Sequence, residues 1–222
     1  FVPASPESGE CAQYVARREN PALTDGFAPL GVKWAADIQG HPLPVSDDGR
    51  VSVPFGMREY RVCAAPGKPP VSKPQRPKLA VSGWVLRAAQ GVVDRTKNFD
   101  ENLQRVLRFL ENYRYSEAYP RVPAGRDPLV HFLFFSRSGP CGLFASAAAV
   151  LLDQAGIPVR LVTGFSPGEP AADGLRMTSA HAHSWLEAWH PEHGWVIVDP
   201  TRFARLGARR FVAAVSAGLS GR

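Results

Sequence analysis

The feature that most constrains the fold is a Gly139-Pro140 break followed at once by an apolar, helix-forming run that begins at Cys141. The run ends at Gly156, and Pro158 prevents its continuation. The spacing therefore predicts a helix starting at the cysteine, and the segment "IPVRLVTGF" after it reads as a buried strand. The apolar face of this helix is predicted to consist of Phe144, Ala148, Leu151 and Leu152.

Two further strands follow in the sequence. "RMTSAHAHSWLEAWH" alternates with period two, and "HGWVIVDPT" forms a third strand closed by Asp-Pro. A helix followed by three strands with hairpin-like connections predicts an α+β fold, with the helix packed against an antiparallel sheet. Upstream, "FDENLQRVLRFLENYRY" has helical spacing, with Asp100 as the candidate N-cap.

The composition of the chain changes along its length, and four segments are predicted. Residues 1–64 form a β-rich or irregular extension with one strand-like run, "RVSVPFGMREYRVCA". Residues 65–78 are dense in Pro and Lys and read as a linker. Residues 79–203 carry the helical and strand patterns of the main domain, and residues 204–222 form a basic tail with weak amphipathic character.

The overall composition is that of a soluble globular protein, with 222 residues, 45% of them apolar and 21% charged. No stretch reaches the length of a membrane-spanning helix, and the start at Phe1 indicates a processed or shortened chain. The net charge is +6, but the basic residues are spread along the chain. This distribution predicts a solvated surface, with anionic lipid as a possible neighbour, and no nucleic-acid partner.

The odd number of cysteines, three, is consistent with one disulfide-forming pair and one reactive thiol. Cys11 and Cys63 both lie in the first third, so either a disulfide between them or two buried thiols fits the count. Cys141 is the third. No CxxC or HxxxH spacing occurs, so we expect no zinc site of the usual pattern.

Three residues have the types and the order of a nucleophilic cysteine site. Cys141 lies at the predicted start of a helix, where unpaired N–H groups stabilise a thiolate and an oxyanion. His183, on the following strand, is a suitable base, and Asp199 at the end of the next strand is placed to orient the imidazole. Taken separately, each has a structural alternative: a small buried thiol, a core histidine and a turn-forming aspartate.

His181 shares the predicted strand face with His183, since side chains alternate along a strand. It is expected at the rim of the cleft. The less favoured alternative is a metal site that combines it with the three residues above, although metal ligands in such sites usually lie closer together in sequence.

These motifs resemble the core of bacterial transglutaminase-like proteins over roughly residues 99–201. The resemblance rests on Gly-x-Cys at a helix start, Gly-Ile-Pro-x-Arg, His-x-Trp-x-Glu, Gly-Trp and Asp-Pro-Thr, in that order. It implies a papain-like transglutaminase-core fold with Cys141 as nucleophile, His183 as base and Asp199 as its partner. It assigns no metal and no cofactor. Gly142 replaces a glutamate common in the most similar subgroup.

That subgroup is carried on the outer side of bacterial membranes, so the resemblance implies a periplasmic or extracytoplasmic domain whose membrane segments lie outside this chain. The implied reaction is acyl transfer from a glutamine carboxamide, through a thioester, to an amine, with a protein or peptide as substrate. The sequence leaves two alternatives: a cysteine peptidase or amidase with the same triad, and an inactive binding module. Arg160, Glu187 and the tryptophans 185, 189 and 195 are expected to be structural.

Overall fold

The structure is a computed structural model, and it describes residues 2–4, 11–18, 25–26, 32–46, 50–64, 81–166, 168–172 and 174–206. The predicted linker, residues 65–78, and the tail from residue 207 onward lie outside the described residues. The predicted boundaries of the four segments stay predictions. No helix within the described residues combines the length and the apolarity that crossing a membrane requires.

The first part of the chain is built from short strands. They are β1 (Val2–Ala4), β2 (Ala12–Arg17), β3 (Asp25–Gly26), β4 (Val32–Asp37), β5 (Pro42–Leu43), β6 (Val51–Ser52) and β7 (Glu59–Ala64).

The second part alternates helices and strands. It contains α1 (Gly83–Val92), α2 (Phe99–Glu111), β8 (Arg114–Tyr115), α3 (Pro128–His131), a π-helix (Phe132–Ser136), β9 (Ser138–Gly139), α4 (Cys141–Gln154), β10 (Val159–Phe165), β11 (Glu169–Ala171), β12 (Gly174–Arg176), a 3₁₀ turn (Ser179–His181), β13 (Ala182–His190), β14 (Gly194–Val198) and α5 (Thr201–Leu206).

The chain divides into two compact units. The first unit comprises Phe1–Lys73 and Gly164–Ala182, and the second comprises Pro74–Thr163 and His183–Arg222. Residues 164–182 thus group with the N-terminal strands, a grouping that the sequence pattern does not indicate.

The first unit contains an antiparallel sheet in the order β1-β2-β7-β4-β5. Its central strand β7 buries Tyr60 and Val62 in a small apolar core. Cys63, on the same strand, forms a disulfide with Cys11, with the two Cα atoms 5.7 Å apart. Of the two alternatives for these cysteines, the structure therefore shows the disulfide.

The strand-like run "RVSVPFGMREYRVCA" is not continuous. A turn at Phe55 and Gly56 separates β6 from β7. Gly56 has a φ of +85°, a conformation that side-chain-bearing residues rarely adopt. The prediction of one strand was wrong because the run contains the turn-forming residues Pro54 and Gly56.

The core of the second unit forms around α4. The prediction that a helix begins at Cys141 is confirmed. All four residues of the predicted apolar face are buried, but so are five others, which means that the helix is enclosed rather than packed on one side. Those five are Leu143, Ala145, Ala147, Ala149 and Val150. Full burial of one large apolar side chain is worth about 1.5–3 kcal/mol, so this helix anchors the unit.

Helix α2 packs against α4 through its apolar stripe. It begins two residues earlier than the predicted cap allows, because Asn98 and not Asp100 is the N-cap. The Asn98 side chain accepts a hydrogen bond from the Glu101 amide, and the Glu101 carboxylate accepts one from the Asn98 amide. Both residues fit the capping-box pattern, which identifies the start more reliably than a single acidic residue does.

The sheet of the second unit has the strand order β10-β13-β14. Antiparallel pairing of β13 with β14 sets Leu186 opposite Val198, and both side chains are buried in the core. Strand β10 was predicted to be buried, but it is only partly covered, and Leu161 is more than half exposed. The prediction was wrong: β10 lies at one edge of the described sheet, and none of its side chains is fully buried.

Arg160 and Glu187 form a salt bridge across this sheet. Glu187 is buried, and the Arg160 guanidinium also lies 4.4 Å from the centre of the Trp195 ring. The predicted structural role of these two residues is confirmed by their contacts.

We predict that removal of the disulfide destabilises the first unit. The bridge joins residues 52 positions apart, and chain entropy for a loop of that length corresponds to about 4 kcal/mol of unfolding free energy. Urea unfolding of the Cys11→Ser/Cys63→Ser variant, followed by circular dichroism, measures the loss. The matched control Cys141→Ser should unfold within about 1 kcal/mol of wild type. A double variant as stable as that control would contradict the prediction.

We predict that Arg160→Met lowers the free energy of unfolding by about 3–5 kcal/mol, because it leaves the buried Glu187 carboxylate without its cation. The double variant Arg160→Met/Glu187→Leu should recover most of that loss, since it removes both charges. Urea unfolding of the three proteins tests both statements. Equal stability of the single and double variants would show that the loss does not come from an unpaired charge.

Candidate active site

The first turn of α4 places Cys141 at the start of an enclosed helix. Pro140 is the N-cap, and its carbonyl accepts hydrogen bonds from the amides of Leu143 and Phe144 at 3.0 and 3.4 Å. The earlier amides, those of Cys141 and Gly142, have no acceptor within the helix, as is general for a first turn. Cys141 is partly exposed and is the free cysteine of the chain. The thiol is thus reachable beside N–H groups that favour negative charge.

Strand pairing and close side-chain packing fix the position of the residues that precede this turn. Strand β9 pairs with β8 in parallel, and the Ser116 amide donates to the Gly139 carbonyl at 3.0 Å. Gly139 has no room for a side chain, since a Cβ there would lie 2.7 Å from Leu143 Cδ1. The approach to Cys141 is therefore fixed by close packing.

Tyr119 lies over the same helix turn. Its hydroxyl oxygen is 3.3 Å from the position that a Cβ of Gly142 would occupy. The tyrosine ring is otherwise largely exposed. The absence of a side chain at Gly142 is what allows this contact next to the cysteine.

His183 and Asp199 form the second part of the site. His183 lies near the start of β13, and Asp199 follows directly after β14. The His183 Nε2 atom is 2.9 Å from Asp199 Oδ2, and both side chains are about four-fifths buried. Because Nε2 is engaged with the carboxylate, Nδ1 is the ring atom left to exchange a proton with a substrate or a thiol.

The Asp199 carboxylate is fixed through its other oxygen. Oδ1 accepts hydrogen bonds from the Thr201 hydroxyl at 2.6 Å and from the Thr201 amide at 3.1 Å. Both carboxylate oxygens therefore have partners. This role of Thr201 was not predicted, although the Asp-Pro-Thr run was the signal for it.

Trp185 packs beside the histidine. Its ring is nearly parallel to that of His183, with the ring centres 6.2 Å apart. The Trp185 indole N–H is buried and has no hydrogen-bond acceptor among the described residues. Trp189 and Trp195, in contrast, pack edge to face across the strand pair, 5.5 Å apart, as expected for structural residues.

His181 does not share the strand with His183, so that prediction was wrong. It ends the 3₁₀ turn, where its Nδ1 accepts a hydrogen bond from the Thr178 amide at 3.0 Å. The helical turn interrupts the alternation that was read as continuous. Within the described ranges, no group of three or more His, Cys, Asp or Glu side chains is arranged to hold a metal ion.

Of the three predicted site residues, the structure joins His183 to Asp199 by a hydrogen bond. Cys141 belongs to the same compact unit, at the predicted helix start. The pairing of Cys141 with His183 stays a prediction.

Comparison with known proteins gives a family match. Residues 87–200 match the model of the Transglutaminase-like superfamily, a range of more than half the chain that includes Cys141, His183 and Asp199.

Two curated proteins match parts of the same region. A segment of 101 residues is 48% identical to "Protein-glutamine gamma-glutamyltransferase" of Pseudomonas aeruginosa, covering 43% of this chain and 15% of that protein. A segment of 115 residues is 36% identical to "Uncharacterized protein YebA" of Bacillus subtilis, covering 46% of this chain and 16% of that protein. The matches thus span a small part of the length of both relatives.

The structure is also similar to the periplasmic domain of TgpA from Pseudomonas aeruginosa. The crystal structure of that domain bound to ethylmercury has a TM-score of 0.64 and 25% sequence identity, covering 90% of this chain and 75% of that one. Another crystal structure of the domain has a TM-score of 0.63. The predicted α+β fold, with helices and antiparallel sheet, is confirmed.

We predict opposite effects for two alanine substitutions around the cysteine. Gly139→Ala forces a Cβ into the buried Leu143 side chain and should cost about 1–3 kcal/mol of unfolding free energy. Gly142→Ala meets only the movable Tyr119 side chain and gains helix propensity, so stability should stay equal or rise by up to about 1 kcal/mol. Urea unfolding of both variants measures the difference, and a reversed order would contradict this packing.

Proposed function

Because this chain belongs to the transglutaminase-like superfamily, we propose that it is a cysteine-dependent acyltransferase acting on a glutamine carboxamide. Cys141 is the nucleophile, His183 the general base and acid, and Asp199 the residue that orients the imidazole. The acyl donor is a protein or peptide glutamine, and the acceptor is a primary amine. The curated relative named as a protein-glutamine gamma-glutamyltransferase supports the reaction class.

The observation that carries the proposal is the hydrogen-bonded pair of His183 and Asp199. The carboxylate is held by Thr201 on one oxygen and contacts the imidazole with the other. A partner fixed in this way sets the direction of the imidazole ring and its tautomer. Nδ1 is left as the proton-exchanging atom, as a cysteine nucleophile requires.

The first half of the reaction forms a thioester. The thiol proton of Cys141 passes to His183, and the sulfur attacks the carboxamide carbon. The amides at the start of α4 are the proposed donors to the resulting oxyanion, and one such donor is typically worth about 10² to 10³ in rate. The carbon–nitrogen bond then breaks, and His183 returns the proton to the leaving ammonia.

The second half of the reaction releases the acyl group. A primary amine attacks the thioester carbon and loses a proton to His183, and the carbon–sulfur bond breaks to regenerate the Cys141 thiol. Attack by water instead gives the carboxylic acid. The partial exposure of Cys141 favours an enzyme over an inactive binding module, because a reactant is able to approach the thiol.

The proposed location is extracytoplasmic. A solved structure to which this chain is similar is a periplasmic domain. The disulfide between Cys11 and Cys63 also suits an oxidising compartment.

We predict that the purified chain incorporates a fluorescent primary amine into a glutamine-containing peptide and releases at least an equal amount of ammonia. Cys141→Ala should abolish both products, and His183→Ala and Asp199→Asn should lower the rate by about 10² to 10⁴. The matched control His193→Ala, at an exposed turn, should retain wild-type activity.

Thiol labelling provides an independent readout, because Cys141 is the only cysteine outside the disulfide. Iodoacetamide should label wild type once and Cys141→Ala not at all. Amine incorporation that survives in Cys141→Ala would disprove the proposal. Cleavage of the peptide backbone without amine incorporation would instead assign the site to a cysteine peptidase.

A further inference from the structure

The second unit carries an exposed cluster of aromatic rings and guanidinium groups, here called the aromatic–arginine patch. It consists of Trp84, Arg87, Arg126, Phe134 and Phe135. Trp84 and Phe135 are each 57% exposed, and Phe134 is 36% exposed. Single exposed apolar residues are ordinary, but three large rings in one place mark a binding surface.

The members of the patch form two contact groups, which are linked through the consecutive residues Phe134 and Phe135. The Trp84 and Phe134 rings meet edge to face, with their centres 5.9 Å apart. The Arg87 guanidinium lies 4.5 Å from the centre of the Trp84 ring, and that of Arg126 lies 4.1 Å from the centre of the Phe135 ring. Each of the two most exposed rings therefore has a cation stacked on it.

Helix α1 holds Trp84 in place. The side chain of Ser82 caps the helix by accepting a hydrogen bond from the Val85 amide. Val85 and Ala89 are buried against the core, which turns the neighbouring Trp84 outward. The exposure of the tryptophan is thus a consequence of how the helix is anchored.

The π-helix holds the two phenylalanines. Phe132 and Leu133 point into the core, while the next two residues, Phe134 and Phe135, are exposed. The Tyr113 hydroxyl donates to the Leu133 carbonyl at 2.7 Å, and burial raises the pKa of Tyr113, so this donor keeps its proton. π-helices are rare and are often found at functional sites.

We propose that the aromatic–arginine patch binds the surface of an anionic phospholipid bilayer. Aromatic rings prefer the boundary between headgroups and acyl chains, and guanidinium groups pair with lipid phosphates. The partner must be anionic, since the patch contributes two positive charges and the chain as a whole has a net charge of +6.

The acidic residue nearest in sequence lowers the positive charge of the patch but does not reverse it. Asp127 follows Arg126 and caps α3 by accepting hydrogen bonds from the amides of Leu129 and Val130, and its single negative charge stands against the two positive charges of Arg87 and Arg126. A second copy of the chain is a less complementary occupant. In a two-fold symmetric dimer the same patch faces itself, which brings the arginines of one copy towards those of the other.

The test uses sedimentation with vesicles of equal parts phosphatidylglycerol and phosphatidylcholine, and with vesicles of phosphatidylcholine alone. Wild type should sediment with the anionic vesicles and not with the neutral ones. Trp84→Ala/Phe135→Ala should lower the partition coefficient at least tenfold. Arg87→Gln/Arg126→Gln should lower it roughly 25-fold, since each basic residue contributes about fivefold. The matched control Phe55→Ala removes a ring that is 79% exposed in the other unit and should bind like wild type.

Quenching of tryptophan fluorescence by brominated phosphatidylglycerol provides a measurement on the unmodified protein. Wild type should be quenched, and Trp84→Phe should lose most of the quenching. Absence of binding to anionic vesicles would overturn the proposal, as would binding that the patch variants leave unchanged. A dimer in light scattering that Trp84→Ala dissociates would also overturn it, because the patch would then belong to a second copy.

Discussion

The burial of helix α4 on all sides is the constraint on which the second unit depends. Helix α1, helix α2 and helix α5 all pack against it, so the helix cannot shift without disrupting the core. Its first turn, and with it Cys141, is therefore held in one place. The close approach of Gly139 to Leu143 extends that constraint to the chain entering the helix. A nucleophile at a rigid helix start has its N–H donors fixed before any substrate binds, which is what stabilisation of an oxyanion requires.

Core packing likewise fixes the positions of His183 and Asp199 on the sheet. Buried Leu186 lies opposite buried Val198, and this pair fixes the register of β13 against β14. His183 lies three residues before the first of them and Asp199 one residue after the second. A shift of one residue would turn every side chain of one strand to the other face, separating the pair and exposing the core residues. Core packing thus maintains the 2.9 Å contact between the two side chains.

The sequence predicted those parts of the fold that local patterns determine. The start of α4, the last two strands and the positions of Cys141, His183 and Asp199 follow from a Gly-Pro break, alternation and Asp-Pro-Thr. The predictions were wrong at positions where tertiary structure determines burial or backbone conformation. Strand β10 is only partly buried although its sequence is strongly apolar, and His181 leaves the strand because a 3₁₀ turn forms after Thr178. The contact between Tyr119 and Gly142 joins distant parts of the chain, so no local pattern contains it.

In the proposed reaction, the balance between transfer and hydrolysis depends on which groups surround the thioester. Cys141 is partly exposed, and Tyr119 is the large side chain that lies over the turn beside it. The tyrosine reaches that position because residue 142 is a glycine, since a longer side chain would occupy the same space. In the proposed reaction, the glycine next to the cysteine leaves room for the Tyr119 hydroxyl beside the helix start, while the enclosed helix holds the amides of its first turn in place.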